Sequence, residues 1–463
     1  MSATGSSAEL GVAEERPAGG GTPGAETPAG PGGSGGGRAM AGRLSWGLAD
    51  QAVSSMTNFA VGIAVARELG VIAFGIFSLV WVTYSVVLNV SRGLATDPLM
   101  VRFSGVATDH WRHAVTRSSG TALSVGIAAG LASGLAGIAV GGSLGAAFVA
   151  LGAVLPALLL QDSWRYAFFA AGLGRKAFVN DAVWAAALIP AMIFAAQRGG
   201  VVEFVLAWGL SAAVAAGYGC VQMGLLPRTS GARGWLWQQR DLGPRYLVEN
   251  VSYSGASQLR MYGLGAIAGL ADVGTVRGAD LLLGPYVAVL MGMSLVTVAE
   301  AARVLRRSPH RLRLFCLLLG GGQAVGVLAW GLVLLFLLSD GVGQFVLGSV
   351  WHSASALILP ATLTMMGVSF SNAAACGLRA LGAARRSMRS QLIVSAIYVA
   401  GGIGGAVVAG ALGSAWGVAV AVLVGSALWW VQLHAGLREH LSRRLVQLPI
   451  PRAQVEHDEM RRP

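Results

Sequence analysis

The sequence predicts an all-α polytopic membrane protein of about twelve transmembrane helices, built as two six-helix halves. Three observations predict it. The 463-residue chain is 54% hydrophobic and only 12% charged, about half the charge of an ordinary soluble domain. Apolar runs of about 20 residues, the length that crosses a hydrocarbon core, recur along it. Basic residues alternate between rich and poor loops. Mean hydropathy is +0.64.

The elements follow in chain order. Residues 1–40 are Gly, Ala, Pro, Ser and Thr with few large apolar side chains, as in "PAGGGTPGAETPAGPGGSGGG". Such a segment cannot build a core and reads as a disordered tail. It has no short apolar h-region, so it is not a signal peptide. Twelve apolar stretches follow, at 44–66, 72–90, 117–140, 144–162, 178–196, 202–226, 246–270, 279–302, 313–338, 354–376, 390–410 and 414–436. An N-terminal six-helix lobe (41–226), a cytoplasmic linker (227–245), a C-terminal six-helix lobe (246–440) and a polar tail (441–463) result.

Charge sets the orientation. The loops that share a side with both termini, counted with their edges, hold twenty Arg or Lys residues, from Arg92 and Arg102 through Arg165 to Arg386 and Arg389. The opposite loops hold three: Arg67, Arg198 and Arg277. The positive-inside rule places the rich side and both termini in the cytoplasm, in a multi-pass protein of the cytoplasmic membrane. The opposite loops are short, which leaves no external domain for chemistry.

The halves carry traces of a repeat. At an offset of 199, Asp50 maps onto Glu249, Gly70 onto Gly269 and Gly75 onto Gly274. "AGLGRK" (171–176) resembles "RALGAARR" (379–386). Parallel six-span repeats are a known transporter plan.

The seventh span is the anomaly. Glu249, Tyr253, Ala256 and Arg260 are spaced to share one helix face, with Ser257 at its edge. The first span places Asp50, Ser54, Thr57 and Val61 equivalently, flanked by Gln51 and Asn58. A mid-span arginine costs about 2.5–3.5 kcal/mol on insertion scales, so it faces protein or water rather than lipid. Two readings stand for Arg260: an ion pair with an acid on a neighbouring helix, or a cavity ligand for an anionic substrate. The second uses the planar, permanently charged guanidinium fork. Asp50 and Glu249 are candidates for proton or sodium coupling, or else helix charges near N-termini, where the macrodipole favours acids. Arg277 and Asp280 at the outer mouth and Tyr286 in the eighth span are further candidates.

Other features read as packing or topology. Glycines at 126, 130, 134, 137, 141 and 145 permit close helix approach. His110 and His113 sit in a solvated loop and give no metal site. The arginines of "RVLRRSPHRLR" (303–313) read as a topology anchor that touches membrane lipid headgroups. Cys220, Cys316 and Cys376 lie far apart in apolar runs, as buried free thiols. No nucleotide-binding, zinc-protease, CxxC, nucleophile-elbow or nucleic-acid motif occurs, so neither an enzyme nor a cofactor is expected.

"LSWGLADQAVSSMTNFAVGIAVARELGVIAFGIFSLVW" resembles the first two spans of Wzx-type polysaccharide exporters and flippases of the multidrug/oligosaccharidyl-lipid/polysaccharide superfamily. The carriers are "AR-x-LG" closing the first span and "FG-x-x-S" opening the second. "VGTVRGADLLLGP" (273–285) is similar to the start of the family's second half, and "GLGRK" to the loop after span four. The resemblance implies two pseudo-symmetric lobes around a central cavity that moves lipid-linked oligosaccharide by alternating access. The charged head would enter a cationic cavity, a role that Arg260 fits by its chemistry, with Tyr253, Ser257, Asn58 and Tyr286 as candidate lining from the residue pattern. In the superfamily's antiporter branch an acid in span one is functional, a role Asp50 matches. Lipid II flippases have fourteen spans against the twelve counted here. Two alternatives stand beside the flippase: a proton- or sodium-coupled small-molecule antiporter, and a membrane glycosyltransferase, polymerase or ligase. The short outer loops disfavour the last.

Overall fold

A computed structural model describes residues 35–103 and 108–446. The tails expected at 1–34 and 447–463 lie outside the described residues. The chain divides into two compact units, residues 1–42 and 43–463. The first is helical from Gly35. The second, from Arg43 onward, contains the membrane-spanning helices.

The regular elements among the described residues are all helical, without strands. The helices are α1 (Gly35–Ser91), α2 (Asp97–Phe103), α3 (Thr108–Val140), α4 (Gly142–Ala170), α5 (Gly174–Arg198), α6 (Val201–Met223) and α7 (Ala232–Gln238). Then come α8 (Gly243–Ile267), α9 (Leu270–Arg307), α10 (Leu312–Leu332), α11 (Asp340–Leu347), α12 (Trp351–Ser355), α13 (Ile358–Ala380) and α14 (Ala384–Val446). A π-helical segment, Arg92–Thr96, joins α1 to α2. α14 continues to Val446.

Eight helical segments among the described residues are long and apolar enough to cross a membrane. Two of them, Val53–Phe103 and Arg385–Ser442, contain a sharp break. The first breaks at Gly70, with φ 74° and ψ 172°, and the second at Ala409–Gly410. Gly269, between α8 and α9, has φ 98° and ψ 177°, close to the Gly70 conformation and 199 residues after it. Only glycine adopts this backbone region at low cost.

Small residues set the helix spacing. A Cβ placed on Gly130 of α3 would fall 2.4 Å from the Gly152 oxygen of α4, and one on Gly137 2.5 Å from the Gly145 oxygen. The glycine series therefore packs α3 against α4, as its spacing predicts. The largest core cluster joins Val61, Val65 and Phe74 of α1 to Leu155 of α4, Trp208 of α6, Leu281 of α9 and Trp351 of α12.

The turns at 171–176 and 381–386 are built alike. Leu173 N–H donates to Phe168 O at 2.8 Å, and Ala383 N–H to Leu378 O at 3.0 Å. Lys176 Nζ reaches the Gln222 carbonyl at 3.3 Å, and Arg386 Nη1 reaches Gln432 Oε1 at 3.0 Å. These pairs are 210 residues apart, against 199 for Gly75 and Gly274. The change of offset falls where α3 and α4 meet through Gly141 alone, whereas α10 and α13 are separated by α11 and α12.

Candidate functional site

Asp50 is fully buried. Arg165 on α4 donates to its Oδ2 from Nε at 2.7 Å and approaches the same oxygen with Nη2 at 2.6 Å. Asp50 Oδ1 has no partner. Arg165 Nε also lies 3.5 Å from Oδ2 of Asp181 on α5. Gln161 Nε2 donates to Asp181 Oδ1 at 2.8 Å, and Asn180 Nδ2 to the Ala215 carbonyl at 2.9 Å. Beside this group, Arg92 holds Asp162 through both forks, at 3.1 and 2.6 Å, with Tyr166 under the guanidinium at 5.1 Å. Three buried carboxylates thus share two guanidiniums. With all five ionised, one negative charge remains in a setting where an unbalanced charge is expensive.

Arg260 occupies a different place, on α8. It is 6% exposed. Its aliphatic stem lies against Gly402, where an added Cβ would sit 2.7 Å from the Arg260 Cγ and Cδ. Its guanidinium lies 5.6 Å over the Tyr398 ring, and Nη2 is 3.7 Å from Met261 Sδ. Nε has no hydrogen-bond partner, and among the described residues no carboxylate lies within 4 Å. Asp280 of α9, exposed at its surface, is near enough to feel the charges of both Arg260 and Arg277. Arg277 itself rests 5.7 Å over the Trp81 ring, and Trp81 stacks on Trp208 at 5.0 Å.

The other expected residues divide. Ser257 is exposed, beside Arg260. Asn58 Oδ1 is buried without a partner. Tyr286 turns to α10, its hydroxyl donating to the Gln323 carbonyl at 2.7 Å. The side chains of Glu249 and Tyr253 lie outside the described residues. Asp50 is partnered on α4 and Arg260 on α14, so no shared partner brings them together. His110 and His113 are exposed, and no group of three metal-ligating side chains occurs among the described residues.

Sequence reasoning missed two arrangements. Arg92 and Arg165 were counted as loop charges, yet each is engaged by a buried acid; "QDSWR" and "ND" inside apolar stretches were the available signal. It also missed a polar seam between α1 and α8. Thr83 and Tyr262 hydroxyls meet at 2.7 Å, Asn89 Nδ2 donates to Ser254 Oγ at 2.8 Å, and Asn250 Nδ2 donates to Asp97 Oδ2 of α2 at 2.7 Å. An apolar recess of about 510 Å³ runs beside α1, lined by Met56, Phe59, Ala60 and Ile63 with Arg67 and Glu68 at one end.

No family model matches the chain, and no curated protein matches it. Solved structures do. The fold is similar to an inward-facing multidrug resistance MATE family transporter of the MOP superfamily, with TM-score 0.66, 14% identity and coverage of 84% of this chain and 95% of that one. It is similar to lipid II flippase MurJ in an inward closed conformation, with TM-score 0.65, 9% identity and coverage of 88% and 94%. A MOP superfamily transporter from Pyrococcus furiosus, described as having a binding pocket of reversed polarity, aligns with TM-score 0.51, 15% identity and coverage of 87% and 96%. The chain shares the helical fold of these transporters and of this flippase.

Proposed function

We propose that this protein is a Wzx-type flippase that moves an anionic, lipid-linked saccharide across the cytoplasmic membrane by alternating access, with both termini cytoplasmic. Arg260 carries the reading. A buried, mid-span guanidinium with an unpartnered Nε and no close carboxylate is a cation lacking its anion, and a pyrophosphate group fits its fork. Ser257, Asn58, Tyr253 and Tyr286 complete the cavity in this reading. The recess beside α1 suits the lipid tail. Dividing α1 at Gly70 and α14 at Gly410 turns the eight long apolar segments into ten, and α8 and α9 bring the count to twelve in this reading. The test is transport of a fluorescent lipid-pyrophosphate saccharide in proteoliposomes. Loss of transport in a correctly inserted Arg260→Ala variant supports the reading, and wild-type transport refutes it.

A second reading, a proton- or sodium-coupled small-molecule antiporter, is favoured by one observation. The unpartnered Asp50 Oδ1, beside an arginine shared with Asp181, is a place where a proton or cation would complete the charge balance. Glu249 is the equivalent acid in the second lobe. Substrate efflux driven by an imposed ion gradient and abolished by Asp50→Asn would establish this coupling.

A further inference from the structure

We infer that α7, in the linker between the sixth and eighth helices, is a membrane-surface anchor that engages anionic lipid headgroups. The helix has two unlike faces. On the inner one, Ala232 and Trp235 are buried. Trp235 Nε1 donates to the Leu94 carbonyl at 3.0 Å, inside the π-helical segment, and its ring lies 5.8 Å from Phe103. Arg102 grips the end of α7 through the Gln238 carbonyl at 3.1 Å and Gln239 Oε1 at 2.8 Å, and it pairs with Asp241.

On the outer face Trp237 is 69% and Leu236 40% exposed. Arg233 is exposed one helical turn before Trp237, and Arg240 is exposed in the turn that follows the helix. The Arg240 guanidinium lies 4.5 Å over the Trp237 ring. A large aromatic and a leucine held out together, between two arginines, match the composition of a surface that meets the bilayer boundary. The nearby acid Asp241 is engaged by Arg102. Position favours the occupant: α6, long and apolar enough to cross a membrane, ends at Met223, and α7 begins nine residues later. Trp237 and Leu236 would sit among the headgroups, and Arg233 and Arg240 would bind lipid phosphates.

The anchor is mechanically joined to the buried charges. α7 clamps the π-helical segment that carries Arg92, the partner of Asp162.

Hydrogen exchange of the full-length protein tests this, in nanodiscs of phosphatidylcholine alone or mixed with phosphatidylglycerol. The expected result is exchange across residues 233–242 several-fold slower in the anionic discs, reversed by high salt. Arg233→Gln and Arg240→Gln each shrink the difference roughly fivefold, the effect of one surface cation on an anionic membrane. Trp237→Ser removes the protection in both discs, while exchange in α3 and α4 stays constant and reports intact folding. Equal exchange in both discs overturns the proposal, as does a difference that survives both arginine substitutions. Protection that appears only on adding soluble extract would assign the face to a protein partner and also overturn it.

Discussion

Gly75 of α1 and Gly274 of α9 pack against each other through reciprocal contacts. A Cβ on Gly75 would fall 1.9 Å from the Leu270 oxygen, and one on Gly274 would fall 2.1 Å from the Val71 oxygen. Leu270 follows Val71 by the same 199 residues that separate the glycines. The crossing is therefore two-fold in its local geometry, and each glycine serves the other chain segment's backbone. Either Gly75→Ala or Gly274→Ala should lower stability by about 1–3 kcal/mol through overpacking against backbone that cannot yield. Thermal unfolding in detergent, followed by size-exclusion chromatography, measures it; Gly134→Ala, where nothing lies within 4 Å, is the control.

Arg165 balances two buried acids. Arg165→Gln should destabilise the protein by about 3–5 kcal/mol, because Asp50 and Asp181 are left without their cation. Adding Asp50→Asn to that variant should restore part of the loss. A double-mutant cycle on Asp50 and Arg165 reads the coupling; additive effects would mean that the pair does not interact.

The α11–α12 stretch interrupts the repeat and reaches across to α1. Gly348 has φ 59°, a Cβ there would lie 2.6 Å from the Arg67 oxygen, and the Arg67 guanidinium rests 4.5 Å over Phe345. Gly348→Ala combines a backbone penalty of about 1–3 kcal/mol with that collision. It should loosen this contact, seen as faster labelling of a cysteine placed at the neighbouring exposed Glu68. Unchanged labelling would show that the contact does not hold the segment in place.

Arg260 leans on the Tyr398 ring, a contact of about 0.5–2 kcal/mol. Tyr398→Phe should transport like the wild type, since the ring face is kept. Under the proposed function, Tyr398→Leu should weaken protection of the protein by a lipid-pyrophosphate saccharide in a thermal-shift assay, and Arg260→Ala should abolish it.

Much of the fold is legible along the chain because its signals are local. Apolar length marks eight helical segments among the described residues, and the glycine spacing of α3 and α4 marks their packing. The similar conformations of Gly70 and Gly269 were foreshadowed by a match of residue type at a fixed offset. The buried charges were harder to read. Arg165 and Arg92 stand near the ends of apolar stretches, where an arginine serves topology equally well. Only the approach of α1, α4 and α5 tells a loop charge from an ion-pair partner.

From the sequence alone, the membrane character, the all-helical class and the unusual charge of Arg260 were determined, since each depends on side-chain composition within a single turn or span. Tertiary structure alone decided which acid meets which arginine, that Arg260 meets an aromatic ring and no close carboxylate, and that α11–α12 rests on Arg67. Those outcomes depend on distances between residues a hundred or more positions apart, and desolvation makes a few ångströms the difference between a paired charge and an unpaired one.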